Sequence, residues 1–139
     1  MKKIVFWRHY GCGNTSHVLT RFRNEGHGDV FSDESPFSGT REAAPIMDFI
    51  LMREKDGVLL FLSRDSLVID LVSLLAQEHG IEVAVLPQIP VVKFDPEWHG
   101  GGERVLNLDE EFDEVVKAMK RAEPYESVLK KPKDGGKGK

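Results

Sequence analysis

The hydrophobic positions of the chain fall into unbroken runs and spaced stripes. Ile4-Val5-Phe6-Trp7 is an apolar run rich in β-branched and aromatic residues, the pattern of a strand buried on both faces. Val58-Leu59-Leu60-Phe61-Leu62 is a stronger signal of the same kind, and Ile81 to Leu86 predicts a third strand. Val91-Val92-Lys93-Phe94 predicts a fourth, placed at an edge because Pro90 precedes it and proline cannot donate to a ladder. Helical spacing appears between and after these runs. Ala43, Ile46, Met47, Phe49, Ile50 and Leu51 predict a helix that starts near Arg41, keeps Pro45 in its first turn and stops at Asp56-Gly57. Leu67, Val68, Leu71, Val72, Leu74 and Leu75 predict a second, sheet-facing helix from the Ser63–Ser66 turn to about His79, ended by Gly80. Asn107, with Glu110 three residues later, reads as a capping box for a last helix, Leu108 to Arg121, that turns Phe112, Val115, Val116 and Met119 inward. Residues 18–38 read mostly as loop, although Val18 to Phe22 fits a short strand or helix.

This order of elements predicts an α/β fold: a three-layer sandwich with a mostly parallel, Rossmann-like sheet of about four strands and helices on both faces. Such sheets hold ligands beyond the carboxyl ends of their strands. Two of the predicted strands end there in polar segments that carry an arginine, Arg8-His9 and Ser63-Arg64-Asp65-Ser66. If those strands are parallel neighbours, one rim collects Arg8, His9, Asn14, Thr15, Ser16, Ser63, Arg64 and Ser66. Guanidinium forks, hydroxyls and the amide groups of a helix starting near Ser66 suit a phosphate. The alternative is structural: Arg8 and Arg64 pair with Asp65, Asp29 or Asp33, and Ser63 or Asp65 merely caps a helix.

His9 is the candidate nucleophile, since an imidazole nitrogen can attack phosphorus when neighbouring cations share the charge of the transferring group. Cys12, flanked by glycines, suits a low-pKa thiolate. A Cys-x5-Arg phosphatase loop would need arginine where Val18 stands, and no Lys-Ser/Thr pair follows Gly11-Cys12-Gly13-Asn14-Thr15 to make a Walker A loop. His17, His27, His79 and His99 lack metal-ligand spacing, so neither a metal nor another cofactor is expected.

Composition narrows the partners. The chain has 139 residues, 40% hydrophobic and 30% charged, which fits a single domain, expected over residues 1–129. Residues 130–139 hold five lysines and one aspartate, a Lys/Gly-rich tail expected to be disordered. Its charge of +4 leaves −8 for residues 1–129 out of a total of −4, and an acidic body argues against binding duplex DNA. No apolar run approaches the ~20 residues of a membrane helix, and Arg8 comes too early for a signal peptide. A lone cysteine excludes an internal disulfide. A cytoplasmic protein is expected.

Met1 to Gly11 resembles the opening strand and Arg-His-Gly motif of the histidine phosphatase (phosphoglycerate mutase-like) superfamily, with Tyr10 inserted before the glycine. Ser35 to Ala43 resembles its proline-led loop and Gly-Arg-Glu-x-Ala helix start. Val58 to Asp65 resembles its Ser-His-Gly strand, and Val91 to Asp95 its late strand. The resemblance implies a small phosphorylated ligand, a phosphohistidine formed on His9, a phosphate clamp at Arg8 and a pocket contribution from Asn14. The sequence also departs from that family: Arg64 stands where it has a second histidine, and the 16 residues between Arg41 and Val58 leave no room for its middle βα unit. Gly11-Cys12-Gly13-Asn14 and Ser63-Arg64-Asp65-Ser66 are also similar to the two ligand loops of CRISPR-associated Rossmann-fold (CARF) sensor domains. That resemblance implies a homodimer holding a cyclic oligonucleotide, as a sensor or a ring nuclease. A third reading is a non-catalytic interaction module.

Overall fold

The computed structural model describes residues 2–8, 14–32, 48, 51 and 57–127. Its strands are β1 (Lys2–Arg8), β2 (Asp29–Ser32), β3 (Gly57–Ser63), β4 (Glu82–Val85), β5 (Val92–Asp95), β6 (Gly102–Val105) and β7 (Glu123–Pro124). The helices with described bounds are α1 (Thr15–Asn24), α2 (Ser66–Glu78) and α3 (Leu108–Met119). The main sheet runs β2-β3-β1-β4-β7, with β1 parallel to both of its neighbours, β2 parallel to β3, and β7 antiparallel to β4. The protein is therefore mixed α/β, with a mostly parallel sheet of five strands where about four were expected. Among the described residues, no helix is long and apolar enough to cross a membrane.

Side-chain alternation along β1 and β3 explains their unbroken apolar runs. Ile4, Phe6, Leu59 and Phe61 pack with Val68, Ile69, Val72 and Ala76 of α2. The intervening Val5, Trp7, Leu60 and Leu62 pack instead with Val18, Leu19 and Phe22 of α1 and with Phe112, Val115 and Ala118 of α3. Both sets lie in the interior, so neither phase of the strand can be polar. Phe6 and Phe61 meet edge to face at 5.4 Å across the sheet.

Local signals place the helix ends. The Asp65 side chain accepts from the amides of Leu67 and Val68 at the start of α2. Asn107 and Glu110 form the expected reciprocal capping box. Gly80, at φ +72°, takes the left-handed turn after α2, where the Ile81 amide returns to the Ala76 carbonyl at 2.9 Å.

Several expectations need correction. Val92 to Asp95 does not join the main sheet as an edge strand; it pairs antiparallel with β6 in a separate hairpin. The stretch read mostly as loop contains α1 and β2, and residues 123–124 add a short strand. On α2, Leu67 is 56% exposed and Leu71, Leu74 and Leu75 are half-buried, whereas Val68, Ile69, Val72, Ser73 and Ala76 are buried. Apolar residues surround most of that helix, so spacing alone could not choose its inner face. Of the helix expected from Arg41, Asp48 and Leu51 are helical and exposed. The rest of it, the Ser35–Ala43 motif and the 130–139 tail lie outside the described residues.

Candidate functional site

The carboxyl ends of β1 and β3 lie side by side, with Arg8 and Ser63 as direct register partners. The two strands that precede the polar segments singled out in the sequence therefore end side by side and point in the same direction. Ser63 is fully buried, and its hydroxyl accepts from the Asp65 amide at 3.0 Å, which tightens the turn into α2. Arg64 and Ser66 are exposed on that turn. Asn14 and half-buried Thr15 begin α1, and the Asn14 amide donates to the Leu106 carbonyl at 3.3 Å, tying the start of α1 to the approach of α3. His9, the expected nucleophile, and Cys12 lie outside the described residues.

Two features temper the positive charge of this rim. The first amides of α2 donate to the Asp65 carboxylate, so part of the helix dipole already faces a negative group. The Arg8 guanidinium also turns toward Tyr125, donating to its hydroxyl at 3.1 Å with the guanidinium carbon 5.2 Å from the ring centre. Tyr125 in turn donates to the buried Asp70 carboxylate of α2. Burial, then the Asp70 carboxylate, push the Tyr125 hydroxyl above its ordinary pKa, against the opposing pull of Arg8.

Beside this rim a cleft of about 490 Å³ opens between the carboxyl ends of β1 and β4. Its wall is formed by Trp7, Arg8, Val85, residues 86–91 and Glu111 of α3. Leu86 closes onto β1 through its amide, which donates to the Phe6 carbonyl at 2.9 Å. The volume falls within the ~300–1,000 Å³ typical of small-ligand sites.

α1 and α3, the helices that follow β1 and β4, pack on the same face of the sheet, and the cleft opens where those two strands end.

The sequence reading missed Trp7, Gln88, Glu111, Asp70 and Tyr125 as parts of this region. One signal for Glu111 was available: it falls at helical spacing with Leu108, Phe112, Val115 and Ala118, a charge on a core-facing stripe. In the folded chain Glu111 is 1% exposed. Comparison of the chain with protein-family models, curated proteins and solved structures gives no match.

Proposed function

We propose that the protein binds a phosphate ester at the carboxyl ends of β1 and β3, within a three-layer, Rossmann-like arrangement. The supporting observation is the parallel register that sets Arg8 beside Ser63, with Arg64 and Ser66 on the turn that follows. The Arg8 and Arg64 guanidinium groups and the exposed Ser66 hydroxyl on this rim match the oxygens of a phosphate. The cleft between β1 and β4 adjoins that rim and offers room for the esterified group.

In this reading His9, immediately after Arg8, is the nucleophile of a phosphatase-like reaction. Its imidazole nitrogen bonds to phosphorus as the phosphorus–oxygen ester bond breaks, the leaving oxygen takes a proton from water, and a second water then attacks phosphorus to release phosphate and restore the imidazole.

Titration with orthophosphate and vanadate while following thermal unfolding tests the site, since a ligand of the native state raises the midpoint by mass action. Arg64→Ala is expected to weaken vanadate binding by ~1–3 kcal/mol, the scale of a hydrogen bond to a charged group. His9→Ala is expected to abolish hydrolysis of an aryl phosphate. Unchanged vanadate affinity in the first variant, or retained turnover in the second, overturns the corresponding role.

A further inference from the structure

We infer that β5 is a pairing edge for a second copy of this chain: two β5 strands join antiparallel about a two-fold axis at Phe94, and two hairpins become one four-stranded sheet. The alternation of the hairpin supplies the surface. Val92 stands opposite Val105 and Phe94 opposite Glu103, so these four side chains share one face. The other face belongs to the fold, since Lys93, Asp95 and Arg104 join the charge network around Glu110 of α3. On the outer face Phe94 is 63% exposed, and Val92 and Val105 are exposed beside it.

The backbone requires that the occupant be a strand. The Leu106 amide donates to the Val91 carbonyl at 3.1 Å, which makes Val92–Val105 and Phe94–Glu103 the non-hydrogen-bonded pairs of the hairpin. The N–H and C=O groups of Val92 and Phe94 therefore point away from β6, and among the described residues no other strand pairs with β5. Such groups beside exposed apolar side chains are a template for another strand. A lone two-stranded hairpin is marginal in water, and further strands stabilise it.

Charge selects the partner. Turned about Phe94, β5 is self-complementary: Phe94 meets its own copy in a hydrogen-bonded pair, and each Lys93 stands opposite an Asp95. Pairing about Lys93 would oppose two lysines. On β6, pairing about Glu103 or Arg104 opposes like charges, and the Val105 carbonyl already accepts from the Arg104 guanidinium at 3.1 Å. Pro96, opposite Val92 in the Phe94 register, lacks an N–H and ends the ladder, so the seam is short.

Analytical ultracentrifugation of the full chain tests the pairing. The mass is expected to rise from one chain to two, and no further, between about 1 µM and about 1 mM, the range of a small interface. Phe94→Lys changes an exposed side chain and should keep the wild-type circular dichroism spectrum while raising the dissociation constant at least about tenfold. Cysteine cross-linking in a Cys12→Ser background reads the register. Phe94→Cys should give a disulfide-linked dimer under mild oxidation, because the Cα atoms of a hydrogen-bonded pair lie about 5.5 Å apart. Val105→Cys should not, since three strand spacings hold it at least about 14 Å from its copy. A chain that stays monomeric across that range overturns pairing with itself and leaves the edge to a strand of another protein. Assembly beyond two copies, undiminished association of Phe94→Lys, or equal cross-linking at positions 94 and 105 overturns the seam at β5.

Discussion

Arg8 and Tyr125, 117 positions apart in the chain, meet at the carboxyl end of β1, where the guanidinium donates to the phenol oxygen at 3.1 Å. Asp70 accepts from the same phenol, so one hydroxyl links β1, α2 and the segment that follows β7. The Tyr125 amide also donates to the Val83 carbonyl at 3.2 Å, fixing that segment against β4. The orientation of a rim arginine thus depends on the far end of the described chain.

Tyr125→Phe removes this link and leaves the buried Asp70 carboxylate without its phenol donor. A loss of ~1–3 kcal/mol is expected in urea-induced unfolding, the cost of stranding a buried acceptor. The wild type should also lose stability in alkali. Because the folded protein raises the Tyr125 pKa, the tyrosine contribution is fully present below the unfolded value of about 10 and is lost as pH rises through the folded value. Tyr125→Phe should lack that alkaline decline, and an unchanged profile would remove Tyr125 as its source.

Asp65→Asn keeps an acceptor for the Leu67 and Val68 amides but removes a negative charge from the start of α2. Cap strength should change little, since Asn and Asp cap comparably. Vanadate affinity should rise by several-fold if the rim is the anion site, and a decrease measured by the same titration would argue against it.

Gly28→Ala should destabilise the fold by ~1–3 kcal/mol, measured by urea-induced unfolding. Gly28 sits at φ +157°, and an added Cβ would lie 2.6 Å from the Val58 carbonyl oxygen and 3.2 Å from the Phe22 ring. The backbone oxygen belongs to β3 and cannot swing away as a flexible side chain would. Wild-type stability in this variant would show that the β2 edge yields.

The hairpin of β5 and β6 is tied to α3 by charge. Arg104 donates to Asp95 at 2.7 Å and to both oxygens of Glu110 at 2.7 Å, and Lys93 donates to Glu110 at 2.9 Å. Arg104, then the Asn107 amide and Lys93, hold the Glu110 carboxyl far below the usual carboxylate range. Arg104 does the same for Asp95 to a lesser degree. Both folded pKa values are depressed, so their contribution is present above the unfolded values, about 3.9 for an aspartate and about 4.3 for a glutamate, and is lost as pH falls through the folded values. Glu110→Gln retains an acceptor for the capping box but should flatten the acid limb of the stability profile, measured by unfolding between neutral pH and pH 2.

Much of the frame was legible in the chain. The runs at 4–7 and 58–62 announced strands buried on both faces because nothing polar interrupts either phase. Asn107 with Glu110, Asp65 before α2 and Gly80 after it act within one turn of helix, so their roles could be read without knowing the fold. The side-by-side placement of Arg8 and Ser63 was readable as a condition, that the two strands be parallel neighbours, and the register meets it.

Other features depend on partners remote in sequence. The inner face of α2 was set by the sheet it meets, because its own surface is apolar nearly all round. β2 and β7 are too short to signal themselves, and β5 found its partner in β6 instead of the main sheet. Local pattern therefore determined which segments become helix or strand and where several of them stop, since caps and side-chain periods act over a few residues. The cleft beside β4, the burial of Glu111 and the turning of Arg8 toward Tyr125 were decided only when distant segments packed, because depth and contact are properties of the assembled chain.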